Sequence, residues 1–321
     1  MIQTSFAILD LHFGSDKILQ DVLAVATSVG SIVIYRACKL PETPLLEHVR
    51  SLQLFPTSIL VLSLAWHTAD SHKLGVTLSN GEVVLIDRLE FSKSQGNIAS
   101  HAFDPDRNSP TCEVLNLHDL EAWTLAFTIS GRGAFSGGDD GTLRYSSIPS
   151  SSESADLGED STVPVPADSW VEKKIHNAGV TAILPLSEDI VVTGSYDDHI
   201  RVVHVPIHGR KMLLAEANLG GGVWRLKKMI QHPEIWEGQA EASFTILASC
   251  MHAGTRIVKL NVSNSGVWDI EVLARFEEHK SMNYGSDIQP RKNGYGGIVI
   301  STSFYDKLLC VWHFGDSVGI D

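Results

Sequence analysis

Apolar and polar positions alternate with a period of two along most of this chain, and the alternating runs come in pairs. LAVATSVGSIVIYRA (Leu23–Ala37) is two apolar-rich runs joined by a Val-Gly-Ser turn, and five later segments repeat the design. They are Leu74–Arg88, Gly133–Ile148, Ile190–Val205, Thr245–Leu260 and Ile298–Phe314. Val, Ile and Thr suit a pleated, half-buried surface, and the N-G, D-D-G and H-A-G turns tolerate a positive φ, so each segment is predicted to be a β-hairpin. A further short apolar strand precedes several of them: Ile59–Trp66, Glu121–Phe127, Gly179–Leu186 and Gly222–Met229. Apolar positions at helical spacing are nearly absent.

Repeats of this kind, roughly 40 to 60 residues built from about four strands, are the blades of a β-propeller. The fourth copy comes nearest to a WD repeat, with His176 ahead of the blade, Ser195 and Asp197 around the hairpin turn, and Val203 where a Trp usually stands. The last copy keeps the aromatic, Trp312 following Asp306 at the same offset. The predicted fold is therefore an all-β WD-repeat β-propeller with six visible blades, a single domain over residues 1–321. Two Ser-, Pro-, Gly- and Asp-rich stretches, at about 92–110 and 149–168, are too polar to bury and read as flexible loops between blades.

Composition narrows the function classes. With 25 Lys and Arg against 38 Asp and Glu, the net charge of −13 forfeits the counterion release on which nucleic-acid affinity depends, so no nucleic acid is expected as a ligand. The four cysteines, Cys38, Cys112, Cys250 and Cys310, show no Cys-x-x-Cys spacing, which argues for a reducing compartment without zinc or disulfides. No signal peptide and no long apolar run is visible, so a cytoplasmic protein without membrane attachment, metal or cofactor is expected.

From residue 118 onward the chain carries HDLEAWTLAF, SGGDDGTLR, TGSYDDHIRV, GGVWRLK, ASCMHAGTRI, YGSDI and STSFYDKLLCVW. In this order they resemble the motifs of the diphthine methylesterase family, whereas the first hundred residues resemble it only loosely. The resemblance implies hydrolysis of the methyl ester of methylated diphthine on elongation factor 2, a step of diphthamide biosynthesis that releases methanol. It also implies seven blades, with one before TSFAILDLHF (Thr4–Phe13); either an N-terminal blade is missing here or six close alone. A non-catalytic scaffold is the alternative, because most WD propellers bind partners and a fold does not define an activity.

His176, Ser195 and Asp197 spell a Ser-His-Asp set, but in WD repeats these residue types brace the hairpin, and the structural reading is preferred. His118 with Asp140 looks like the same pairing, with Gly138 in the serine position. A second class is not called for by the scaffold. In a propeller, the loops ahead of the first strand and the turns of the middle hairpin open on one face, which should gather Glu121, Trp123, Asp139, Tyr196, His199, Trp224, Arg225, Cys250, His252, Tyr284 and Tyr305. Trp123, Trp224, Tyr284 and Tyr305 are expected to bind a quaternary ammonium by cation–π attraction, with Asp139 or Glu121 adding charge. His252 is the first candidate for the base, and Cys250, two residues away, for a thiolate partner. His199 and Asp139 are the other candidates for activating water. Arg225 or the N–H groups near Gly221 and Gly222 would serve the oxyanion. For each aromatic and for Cys250, plain packing is the competing reading.

Overall fold

The computed structural model describes residues 4–14, 19–39, 44–89, 109–148, 168–229, 242–290 and 296–315. Its regular structure is antiparallel β throughout, and it divides into two compact units, Met1–Val171 and Glu172–Asp321. The two polar loops expected at 92–110 and 149–168 fall almost wholly outside the described residues.

The first unit holds three sheets, each a simple meander. They are β1 to β4 (Ile8–Phe13, Val22–Thr27, Ser31–Lys39, Pro44–Gln53), β5 to β8 (Val61–Trp66, Leu74–Leu78, Glu82–Asp87, Thr111–Leu117) and β9 to β12 (Ala122–Phe127, Gly133–Gly138, Leu143–Ser147, Ser169–Glu172). The second unit continues with β13 to β16 (Val180–Pro185, Ile190–Ser195, His199–His204, Met212–Asn218) and β17 to β20 (Arg225–Lys228, Ala242–Ser249, Thr255–Val262, Trp268–Phe276). It ends with β21 to β23 (Asn283–Pro290, Gly297–Ser303, Leu309–Phe314), a sheet of three strands among the described residues. These are six blades of a WD-repeat β-propeller; the first five predicted hairpins are the middle pairs of their blades, and the sixth is the last pair of its three described strands. The fourth strands were not predicted, because they lie at the outer edge where only one side of the alternation is apolar.

The middle strands β2, β6, β10 and β14 are buried along their whole length. In the first unit, Ala24, Ile32 and Ile34 of the first blade meet Leu64, Val76 and Ile86 of the second. In the second unit, Val192, Ile200 and Val202 meet Phe244, Ile246 and Leu260. The sixth blade turns Val299 and Trp312 toward Leu247 and Ile257, while its other face leaves Ile300, Leu309 and Val311 exposed. Turn chemistry fixes the registers: Gly81 has a φ of +90°, and a Cβ there would stand 2.4 Å from the His118 carbonyl oxygen.

The last blade shows how polar side chains lock a hairpin. The buried His279 bonds through Nε2 to Ser301 Oγ at 2.8 Å and through Nδ1 to Ser303 Oγ at 3.0 Å. Trp312 Nε1 donates to the same Ser301 oxygen at 3.3 Å. Asp306 accepts from the Lys280 N–H at 3.0 Å and the Ser281 hydroxyl at 2.6 Å, tying the turn to the entry loop. Ser301→Ala would leave two ring nitrogens, one on the buried His279 and one on the half-buried Trp312, without their shared partner. It should lower unfolding stability by about 1–3 kcal/mol in a denaturant titration, and an unchanged midpoint would remove this network from the account of the blade.

Candidate functional site

The Ser-His-Asp set does not assemble as a triad. His176 Nε2 bonds to Thr193 Oγ1 at 2.8 Å, whereas Ser195 Oγ donates to the Ala178 carbonyl at 3.1 Å. Asp197 is taken by the buried Arg201, Nη2 at 2.9 Å, and caps the Asn177 and His199 N–H groups. Burial would raise this carboxyl, but the Arg201 hydrogen bond and the caps hold it at about 2. Burial also drives His176 down to about 4, with the nearby Arg201 acting in the same direction, so the ring is neutral at physiological pH. The structural reading of these residues thus agrees with their geometry.

The third blade corrects one expectation. Gly138 does not occupy the serine position; its Cα packs on the imidazole, and a Cβ there would lie 2.5 Å from His118 Nδ1. The hydroxyl that meets His118 Nε2 is Ser136, at 2.9 Å, while Nδ1 faces Asp140 at 3.0 Å. Burial alone would raise Asp140, but hydrogen bonds from His118, the Asp119 N–H and Thr142 pull it well below the usual carboxylate range. Beside this network, Trp123 Nε1 donates to Asp139 Oδ1 at 3.1 Å. The Glu121 carbonyl accepts the Asp139 N–H at 2.8 Å, so these three predicted residues meet at one turn of the first unit.

In the second unit the aromatic candidates form a continuous run over three blades. Ring centroids are 5.9 Å apart for Tyr196 and Trp224, 5.2 Å for Trp224 and Tyr284, 6.0 Å for Tyr284 and Phe304, and 5.1 Å for Phe304 and Tyr305. None of the four pairs is stacked face to face, so ring faces and edges alternate along the run. Tyr196 and Tyr305 sit in hairpin turns, Trp224 precedes β17, and Tyr284 begins β21, which is the arrangement the loop argument requires within this unit. Phe304 and Tyr305 are 63% and 71% exposed, far more than packing residues would be. Phe304 escaped the sequence reading because strand alternation turns attention to its neighbour. Arg225 lies with its guanidinium carbon 5.0 Å from the Trp224 ring centre and donates to the Trp224 carbonyl at 3.1 Å.

Cys250 and His252 part company. Cys250 is fully buried, its Sγ directed at the Ala248 carbonyl at 3.7 Å, and burial pushes the thiol up to about 12. That is the chemistry of a small packed hydrophobe. His252 stands exposed at the tip of the tight turn from Cys250 to Gly254, closed by Ala253 N–H to Cys250 O at 2.9 Å and Cys250 N–H to Gly254 O at 2.7 Å. It borders a cleft of about 500 Å³ lined by Asn218, Leu219, Gly220, Ala253, Arg256, Arg275 and Glu277. His199 pairs across strands with Asn218, and its Nδ1 is 2.6 Å from the Asp197 carbonyl. A carbonyl only accepts, so Nδ1 carries the proton and Nε2 keeps the lone pair.

Between cleft and rings runs Gly220–Gly221–Gly222. A Cβ on Gly221 would come within 2.5 Å of the Cys250 oxygen, and one on Gly222 within 2.8 Å of Met251 Sδ and 3.4 Å of Tyr196 Cδ1. Both are buried. Among the described residues, no cluster of three or more His, Cys, Asp or Glu is placed to hold a metal ion, and no helix is long and apolar enough to cross a membrane.

No protein-family model matches the chain. It is 29% identical to the diphthine methyltransferase of Schizosaccharomyces pombe over 95% of its own length and 78% of that protein. The diphthine methyltransferase of Saccharomyces cerevisiae is 25% identical over 95% of the chain and 83% of the yeast protein. The human protein of that name is 30% identical over 83% of the chain and 52% of its own length. Among solved structures, a chain of the mitotic checkpoint complex superposes with a TM-score of 0.63 at 18% identity, covering 98% of this chain and 77% of that one. Sqt1 from Chaetomium thermophilum, bound to the N-terminus of ribosomal protein L10, superposes at 0.60 and 13% identity over 98% and 73% of the two chains. At such identities the likeness concerns the fold alone.

The depressed His176 makes a pH signature. Between the ordinary value of 6.5 and the folded value of about 4, the unfolded chain binds a proton that the folded chain refuses, so stability rises with pH across that window. Denaturation followed by circular dichroism should show a loss of up to about 1.4 kcal/mol per pH unit on acidification from this residue. His176→Gln, which keeps a donor for Thr193, should flatten that slope; an equal slope in the variant would assign it elsewhere.

Proposed function

We propose that this chain, a member of the diphthine methyltransferase family of diphthamide biosynthesis, removes the methyl ester of methylated diphthine on elongation factor 2 by hydrolysis. The observation that carries the reading is the aromatic run from Tyr196 through Trp224 and Tyr284 to Tyr305, lying beside the tight glycine segment Gly220–Gly222. Diphthine bears a quaternary ammonium, which has no N–H to donate and is recognised by ring faces, each contact contributing roughly 0.5–2 kcal/mol. Trp224, Tyr284 and Tyr305 take that role, joined by Tyr196 and Phe304.

Ester hydrolysis needs an attacking water, a base, and donors for the oxyanion. In this reading His252, on the rim of the cleft, deprotonates the water, and the Gly221 and Gly222 N–H groups receive the negative oxygen of the tetrahedral intermediate. Collapse of that intermediate expels methoxide, which takes the imidazolium's proton and leaves as methanol, and the carboxylic acid so formed gives up its own proton to solvent and becomes the free carboxylate. His199, its lone pair fixed outward by the Asp197 carbonyl, is the second base. Arg225 serves as a prop for the Trp224 ring, not as an oxyanion donor, because its guanidinium is engaged there. Cys250 contributes no nucleophile, since a thiol held at about 12 is protonated at working pH. Trp123, Asp139 and Glu121 belong to the first unit, and this reading gives them no part in the reaction. A cytoplasmic setting follows from that substrate.

The test is to incubate the purified protein with elongation factor 2 carrying methylated diphthine and to weigh the modified peptide. Loss of one CH₂ mass with release of methanol is expected. His252→Ala should slow it by about 10²-fold or more, the usual contribution of a general base. Unchanged mass, or a gain of mass that requires a methyl donor, would overturn hydrolysis in favour of a scaffold or a transferase.

A further inference from the structure

Two arginines stand directly opposite each other on neighbouring strands of the fifth blade, Arg256 on β19 and Arg275 on β20. Like charges in that position repel and cost stability unless something negative lies between or beside them. Arg256 has its answer inside the protein. It is buried, donates from Nη2 to Glu277 at 2.7 Å and from Nη1 to the Ala253 carbonyl at 2.7 Å, and reaches the Leu219 carbonyl through Nε at 3.3 Å. Its charge is spent on fastening the His252 turn to the glycine loop. Arg275 is exposed, forms no ion pair among the described residues, and lines the same cleft. The acid of the lining, Glu277, is already matched by Arg256, so Arg275 leaves the cleft with an excess of positive charge.

The cleft and the aromatic run are close neighbours. A Cβ on Gly220 would lie 3.9 Å from Arg256 Nη2, and one on Gly222 lies 3.4 Å from Tyr196. Two residues of extended chain span at most about 7 Å. A positive pole therefore adjoins an aromatic pole suited to a cation. A ligand that satisfies both carries a carboxylate and a quaternary ammonium on the same small group. The methyl ester satisfies only the second.

We propose that this cleft is a carboxylate site with Arg275 as its charge, so that the protein holds the zwitterionic acid more tightly than the methyl ester. The proposal rests on the reading of the aromatic run as an ammonium site, and extends it to the product of the proposed hydrolysis. It makes the protein subject to inhibition by its own product, and it makes Arg275 a binding residue that no sequence motif singles out.

The probes are N,N,N-trimethylalanine, its methyl ester and acetate, titrated by calorimetry and by tryptophan fluorescence. The full chain should bind the acid about tenfold more tightly than the ester, and acetate more weakly than either. Arg275→Gln should erase the preference while leaving ester binding and the thermal melt unchanged, and Arg275→Lys should restore part of it. Tyr284→Ala should weaken acid and ester alike. Equal affinity for acid and ester in the wild type, or a preference that survives Arg275→Gln, would overturn the proposal, as would acetate binding as tightly as trimethylalanine. A retained acid preference in a protein that fails to demethylate elongation factor 2 would support this site and dismiss the hydrolase reading, so the two fail separately.

Discussion

A small antiparallel sheet with apolar residues on both faces cannot be stable by itself, and everything in this protein depends on that constraint. The fully buried strands β2, β6, β10 and β14 are possible because, within each unit, sheets press against one another. Stacking in turn forces the strand ends to the rims, where no apolar neighbour exists and polar or aromatic side chains are tolerated. The loops inherit their chemistry from this arrangement: they are anchored on both sides by rigid ladders and left free in the middle.

Anchoring is done by buried polar groups, and the blades solve it differently. His279 takes two serines and shares one with Trp312, His118 takes Ser136 and Asp140, and His176 takes Thr193 while Asp197 turns to Arg201. In each case the histidine links the entry loop to the hairpin, so a loop residue a few positions away is held in register. Trp123 and Asp139 lie next to the His118 network for that reason, and Tyr196 next to Asp197.

The hairpins were legible because their turns carry Gly or Asp at positive φ, as at Gly30, Gly81, Gly141 and Asp198, and their strands alternate. Outer strands such as β20, where exposed and half-buried residues alternate along its length, offer a weaker apolar signal and were passed over. Residue types also identified the aromatic run, but spacing misled twice. Gly138 stands two positions from the real partner Ser136, and Ser195 two from Thr193, because a strand returns to the same face every second residue and sequence alone does not say which rung meets the histidine. The Cys250 and His252 pair failed for a different reason: a left-handed Met251, φ +43°, breaks the alternation between them and sends one inward and one out. Arg275 was invisible because its meaning lies in what it faces across two strands.

The tight floor of the glycine loop limits what natural variation or a protein engineer can alter. Any side chain at Gly221 or Gly222 collides with backbone or with Met251, so the loop tolerates little diversity. Phe304 and Tyr305, by contrast, project into open solvent. Adaptation to a bulkier or differently shaped cation would have to proceed by exchanging those outer rings, one at a time, above a base that stays the same.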